Sequence, residues 1–201
     1  MIALIDYDAG NMKSVEKALQ ALGQEVESTR DPQKLLAADK VILPGVGAFG
    51  DAMENLQNFQ LTEVIRQIIE KETPFLGICL GMQLLFETSE EAPGVPGLGI
   101  LEGEILKILP ADGLKIPHMG WNSLHLSHEG RLFRNMKEGA YVYFVHSYYL
   151  KAKDEQIVKA SAEYGVEIHA SVEKGNVFGC QFHPEKSSET GLQILKNFIE
   201  L

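Results

Sequence analysis

The stretch Gly77-Ile78-Cys79-Leu80-Gly81-Met82-Gln83 sets a cysteine between two glycines, after an apolar run of strand type and before a helical pattern. This is the pattern of a nucleophile elbow with Cys in the serine position. A strand that turns into a helix at one residue strains the backbone there, and side chains two positions away would clash, so glycine suits both flanks. The turn lifts the sulfur out of the sheet beside a helix N-terminus, whose partial positive charge and free N–H groups favour thiolate. The Leu80 N–H then becomes a natural donor to an oxyanion. An inert cysteine buried in a glycine-containing turn is the competing reading.

A cysteine nucleophile needs an imidazole that takes its proton and later protonates the leaving amine. The imidazole in turn needs a carboxylate to fix its tautomer. Gln181-Phe182-His183-Pro184-Glu185 offers both, at the end of the last expected strand. His183 and Glu185 lie two apart, so on extended backbone they point the same way, and Pro184 disfavours helix at His183. Alone, His-Pro-Glu is a weak signal; joined to the elbow it is strong. A third element, Pro44-Gly45-Val46-Gly47, follows the apolar Val41–Leu43 run. Its glycines allow a backbone N–H, from Val46 or Gly47, to face an oxyanion, and allow that peptide to flip.

These groups meet only if the chain forms the right sheet. Ile2–Ile5, Val41–Leu43 and Phe75–Ile78 are short apolar strand runs. Amphipathic helices separate them, marked by Met12, Val15, Leu19 and Leu22, by Asp31-Pro32 as cap and first position, and by Leu61, Val64, Ile65, Ile68 and Ile69. Such alternation argues for a parallel sheet covered on both faces, with its site outside the carboxyl ends of the strands. A helix is expected from Leu80 to Glu87, with Glu87, Glu90 and Glu91 as its solvated end. The C-terminal half is β-rich: Glu102–Leu109, Trp121–Leu126, Ala140–Leu150 and Gln156–Ala162 favour strands. Glu167–Val172 and Asn176–Phe182 flank a hairpin turn at Lys174-Gly175, and Thr190–Leu201 closes as a helix. With no repeat and no linker, residues 1–201 read as a single α/β domain, a mostly parallel sheet flanked by helices with an additional β-rich segment.

Composition narrows the classes. The 201 residues are 45% hydrophobic and 23% charged, ordinary for a globular chain with a real core, which excludes disorder. A net charge of −10 with no basic stripe argues against nucleic acid. The longest uncharged stretch, Thr73 to Phe86, is far short of the about 20 residues of a membrane span. No signal-peptide pattern follows Met1, so a cytoplasmic protein is expected. Two isolated cysteines make neither a disulfide framework nor a zinc site, and His125 and His128 have no further ligand near them in sequence. His146 and His169 read as structural, Trp121 as more core than contact, and Cys180 as a core thiol facing away from His183.

The three motifs together resemble the class I (triad) glutamine amidotransferases, over nearly the whole chain. The resemblance implies a flavodoxin-like fold of that family, no cofactor or metal, and hydrolysis of L-glutamine through a cysteine glutamyl thioester. It makes Cys79 the nucleophile, His183 base then acid, and Glu185 its orienting carboxylate. Leu80 with Val46 and Gly47 would supply the oxyanion hole, and Gln83, Ser147 and Tyr148 match positions holding the amino-acid end of glutamine. Within the family, Pro44–Gly47, Pro117-His118-Met119-Gly120-Trp121-Asn122 and His183–Ser187 resemble the histidine-biosynthetic branch. There the glutaminase subunit pairs as a heterodimer with a cyclase subunit, a (β/α)₈ barrel, which uses the ammonia to make imidazole glycerol phosphate and aminoimidazole carboxamide ribotide. That implies partner contacts at His118, Met119, Trp121, Asn122 and Lys186, with Asn11 at the same sheet edge. A glutaminase of another synthase is the nearest rival, which the Pro-Gly-Val-Gly loop and the His118–Asn122 segment disfavour. A cysteine-elbow hydrolase has no use for Gln83, and a flavodoxin-like binding module has none for the elbow with His-x-Glu.

Overall fold

The computed structural model describes residues 1–201 apart from Ala9 and His128. In chain order the elements begin with β1 (Ile2–Ile5), α1 (Met12–Ala21), β2 (Val26–Thr29), α2 (Pro32–Ala37), β3 (Lys40–Leu43), α3 (Phe49–Asn58) and α4 (Leu61–Glu70). There follow β4 (Phe75–Ile78), α5 (Leu80–Gln83), β5 (Thr88–Ser89), β6 (Gly103–Lys107), β7 (His118–Ser123) and β8 (His125–Leu126). The chain ends with β9 (Tyr141–His146), β10 (Tyr148–Ala152), β11 (Val158–Glu163), β12 (Glu167–Lys174), β13 (Val177–Cys180) and α6 (Ser188–Ile199).

The main sheet has the order β2-β1-β3-β4-β13-β12-β11-β8. The strands from β2 to β13 pair parallel; β12, β11 and β8 extend the sheet antiparallel. Alternation along each strand divides the core. Ala3, Ile5, Val41 and Leu43 pack with α2, α3 and α4, while Ile2, Leu4, Ile42 and Leu76 pack with α1 and α6. Both faces are therefore covered, which is why β1 and β4 are apolar at every position and wholly buried. The architecture is thus α/β, a mostly parallel sheet flanked by helices, with further strands. Those strands form two small sheets, β10-β6-β5 and β7-β9, one packed on each face of the main sheet.

Asp31 caps α2 as its sequence implies, its carboxylate accepting from the Gln33 N–H at 2.9 Å. Elsewhere the structure differs from the sequence reading, for physical reasons. The helix expected from Leu80 to Glu87 stops at Gln83; of the three glutamates after it Glu87 and Glu90 are exposed, as expected, and Glu91 is half-buried, and each also has a backbone partner. Glu87 accepts from the Gly103 N–H, Glu90 from the Lys107 N–H and Glu91 from the Phe49 N–H at the start of α3. They satisfy backbone donors that the small sheet and α3 leave open. The expected Ala140–Leu150 strand breaks at Ser147, where the chain passes from β9 to β10 and so between two sheets. The β12–β13 turn is Gly175-Asn176, one residue later than expected, with Gly175 at φ 57°. β2 and α3 carried no clear signal, since three of the four β2 residues are polar and the glycine-rich Gly45–Gly50 stretch runs into the first turn of α3.

The two glycines of the elbow are sterically required. A Cβ on Gly81 would run into the Leu43 carbonyl oxygen of the neighbouring strand. A Cβ on Gly77 would sit 2.7 Å from the Gly81 carbonyl and the Met82 backbone. We expect Gly81→Ala to lose roughly 3 kcal/mol of stability in urea unfolding, because the end of β3 and the start of α5 must part to admit one methyl group. Gly50→Ala, whose Cβ meets Ala92 at an ordinary 3.4 Å, should stay within about 1 kcal/mol of the parent. Equal midpoints for the two variants would refute this account of the elbow.

Candidate active site

Cys79 occupies the single residue between β4 and α5, at φ 54° and ψ −110°. Its N–H donates to the Cys180 carbonyl at 2.7 Å, and its own carbonyl accepts from Met82 and Gln83. The residue is thus pinned in its strained conformation from both directions, with the side chain turned out of the sheet. The Leu80 N–H stands at the first position of α5, where a helix has no acceptor of its own.

β13 lies directly beside β4, Cys180 paired with Ile78, so residues just past its end reach the elbow. His183 is buried with its Nδ1 donating to Glu185 Oε1 at 2.8 Å. His183 is on extended backbone, as Pro184 implies, but Glu185 is not. Pro184 starts a short 3₁₀ turn through Lys186, and that turn folds the carboxylate back onto the imidazole. Asn11, expected on a partner surface, donates from Nδ2 to the same Glu185 Oε1 at 2.9 Å. The Ser187 hydroxyl donates to the His183 carbonyl, fixing the turn. Burial works against charge on His183, but Cys79 and Glu185 outweigh it and raise its pKa to about 9. Its Nε2 is buried with no hydrogen-bond partner among the described residues; with Nδ1 committed to Glu185, Nε2 is the ring nitrogen left to carry the proton exchanged with Cys79.

β3 flanks β4 on the other side, Leu43 opposite Gly77, which brings the Pro44–Gly47 loop over the elbow. Tyr7, buried just past β1, donates to the Pro44 carbonyl at 2.8 Å, and a side chain on Gly45 would collide with its hydroxyl. Burial, with the neighbouring Cys79 adding to it, pushes the Tyr7 phenol well up, so it stays a donor. Gly47 adopts φ 116°, a conformation for which glycine is suited.

Val46, Gly47, Cys79 and Leu80 line a cavity of about 350 Å³ together with Gln83, Ser147 and Tyr148. All three expected substrate contacts therefore border it. Gln83 is buried, and its Nε2 donates to the Tyr148 carbonyl at 3.0 Å and to Gln181 Oε1 at 2.9 Å, so that nitrogen is committed within the protein. Glu91 also borders the cavity, a carboxylate the sequence reading had set aside. Tyr7, Gln181 and Glu91 were missed. Gln181 stood inside the quoted His183 motif, whereas nothing in sequence pairs Tyr7 or Glu91 with the elbow.

Of the expected partner contacts, Met119 and Trp121 are 61% and 52% exposed, so Trp121 is no core residue. Lys186 is exposed and Asn122 half-buried. His118 is a correction: it points to the other face of β7, buried and stacked on Tyr164 at 3.8 Å and Phe144 at 4.5 Å. Its Nδ1 meets His146 Nε2 at 2.9 Å, and burial brings the pKa of His118 down to about 4 and of His146 to about 3. His169 is structural, accepting from the Ala152 N–H. Cys180 is wholly buried, which pushes its thiol up to about 12. His128 lies outside the described residues.

A family model described as glutamine amidotransferase class-I matches residues 3–201. The chain is 56% identical over 200 residues to "Imidazole glycerol phosphate synthase subunit HisH" of Moorella thermoacetica (strain ATCC 39073 / JCM 9320), covering 100% of this chain and 94% of that protein. It is 50% identical to the protein of the same name from Methanocaldococcus jannaschii, with both covered completely. Among solved structures, "Structure of PurLQS from Thermotoga maritima" aligns with a TM-score of 0.76 at 22% identity, covering 99% of this chain and 97% of that one. A structure titled "Crystal structure of glutamine amidotransferase" aligns at 0.77 and 21%, covering 100% and 98%. These structural likenesses bear on the fold alone.

The charge on His183 can be read directly. In an NMR titration its imidazolium should persist until about pH 9, against an ordinary value of 6.5. Since the folded value is the higher one, the stability it contributes is complete below about 6.5 and lost as pH rises through about 9. Glu185→Gln removes a partner while burial stays, so the His183 midpoint should drop by at least about one unit. An unmoved midpoint would show that Glu185 does not hold the charge.

Proposed function

The chain belongs to the class-I glutamine amidotransferase family, and on that premise we propose that it is the glutaminase subunit of an imidazole glycerol phosphate synthase, serving histidine biosynthesis. The relatives named above support that synthase. The observation that carries the chemistry is the meeting of Cys79, His183 and Glu185 at the adjoining ends of β4 and β13, over a cavity with its own backbone donors.

The Cys79 proton passes to His183 Nε2, and the thiolate attacks the side-chain carboxamide carbon of L-glutamine. Negative charge gathers on the carbonyl oxygen, where the Leu80 N–H and an N–H of the Val46-Gly47 loop receive it. The imidazolium then protonates the leaving nitrogen, and ammonia departs from the glutamyl thioester. Water, deprotonated by His183, opens the thioester and releases glutamate. Glu185 holds Nδ1 and so keeps Nε2 as the nitrogen that exchanges the proton, and Asn11 holds Glu185. Ser147 and Tyr148 border the amino-acid end of glutamine, and the Glu91 carboxylate suits its α-ammonium.

Residues 1–201 act as one domain and hand the ammonia to a cyclase subunit, a (β/α)₈ barrel, in a heterodimer. The barrel sits on the exposed Met119 and Trp121, with Lys186 at the rim. The pair works in the cytoplasm; among the described residues no helix is long and apolar enough to cross a membrane. In the free subunit the Gly45–Gly47 loop does not hold its productive form, and partner with nucleotide ligand biases it there.

Glutamate release should be slow for the chain alone and strongly activated only with the cyclase and its nucleotide substrate together. Cys79→Ala should abolish glutamine use in every mixture while added ammonia still drives the cyclase. Cys180→Ala should stay within a few fold of the parent, its thiol being sealed in the core. Constitutive turnover without any partner would make the chain a free-standing hydrolase instead.

A further inference from the structure

Gln181, the residue just past β13, is fully buried, and the mechanism above does not use it. Its Nε2 lies 3.7 Å from Cys79 Sγ, within reach of a hydrogen bond to sulfur. Which end of that amide faces the sulfur follows from chemistry alone. The Tyr148 carbonyl can only accept, so Gln83 must turn its NH₂ toward it, at 3.0 Å. The second hydrogen of that NH₂ reaches Gln181 at 2.9 Å and needs an acceptor there, which is Oε1. Gln181 is then left with its NH₂ toward Cys79. His146 Nδ1, 2.8 Å from the Tyr148 carbonyl, donates to the same oxygen and holds it in place.

We propose that Gln181 is a further catalytic group of this site, its side-chain N–H donating to the Cys79 thiolate, and that Gln83 is the positioning residue that turns the amide the right way. The protonated thiol has a different partner: S–H donates to the Val145 carbonyl, 3.9 Å from Sγ. Loss of the proton to His183 leaves an anion whose neighbour is a fixed donor, and a hydrogen bond to the charged form favours that form. The same contact serves twice. It populates the nucleophile before attack, when the S–C bond is still to form, and it receives the sulfur again when water expels thiolate from the thioester. Gln83, which the family resemblance assigns to substrate, has its amide nitrogen occupied by this task.

The inference rests on Cys79 being the nucleophile, and the test separates the two. The rate of Cys79 alkylation by iodoacetamide is followed against pH in the full chain, with Cys79→Ala as the blank. The titratable groups around the sulfur are His183 and Glu185 past β13, Tyr7 past β1, and His146 and Glu91 at the cavity wall, and none is altered by the variants. In Gln181→Met, of similar volume, the half-point of the profile should rise by about one pH unit and alkylation at pH 7 slow about tenfold. In the partnered enzyme kcat for glutamine should fall by a similar factor, with KM within about twofold. Gln83→Met leaves Gln181 in place but unoriented, and should move the profile the same way by less. An unmoved profile in Gln181→Met overturns the proposal; if that variant does not fold, an unmoved profile in Gln83→Met does so. A parent chain in which Cys79 does not react above the blank would instead overturn the nucleophile itself.

Discussion

Everything at the site depends on one residue being held in a conformation it would not choose. Cys79 sits at positive φ, a strained setting for a residue with a Cβ, and it persists because its surroundings leave no alternative. Its N–H is taken by the Cys180 carbonyl, its carbonyl by the first turn of α5, and β3 closes over Gly81 so tightly that no side chain could stand there. The strain is carried by the two strands that flank β4. Those same strands bring the other parts: β13 leads to His183, β3 to the Pro44–Gly47 loop. One packing arrangement therefore makes the elbow and supplies what the elbow needs.

Around that residue burial opposes charge on every histidine, and the neighbouring groups decide the outcome. His183 is buried beside Glu185 and Cys79 and holds charge, while His118 and His146 are buried with no counter-ion among the described residues and stay neutral. Neutrality fixes their tautomers. His146 donates from Nδ1 to the Tyr148 carbonyl, so its Nε2 accepts from His118 Nδ1, and His118 Nε2 accepts from Asn122. Through the Tyr148 carbonyl this uncharged row joins the Gln83–Gln181 pair and ends at the sulfur. The nucleophile is thus flanked by a charged acid–base pair on one side and a row of oriented dipoles on the other.

The parts of this arrangement readable from sequence are those where a local rule and a chemical need coincide. Two glycines around a cysteine, a histidine and a glutamate two apart, and apolar runs between amphipathic helices each leave a mark within a few residues. Strand order then brings the marks together, and the parallel sheet was legible because continuous apolar runs have few other uses. What stayed hidden was tertiary. Glu87, Glu90 and Glu91 read as solvent-facing charge because their partners are backbone N–H groups 16, 17 and 42 residues away. Tyr7 and Asn11 act on segments far along the chain, and His118 shares a short strand with exposed neighbours, so only the pleat decides which way it points. Gln181 was in plain view, but an amide has no spacing rule that announces a sulfur.

That pleat has a practical side. Along β7 the side chains alternate between a buried aromatic stack around His118 and an open face carrying Met119 and Trp121. The chain has one tryptophan, and it stands half in water on that face, edge-on to Tyr143. Indole emission shifts to the blue when water leaves it, so any partner that covers this face is reported by the protein's own fluorescence. Association can then be followed in real time, without a label and without waiting for turnover.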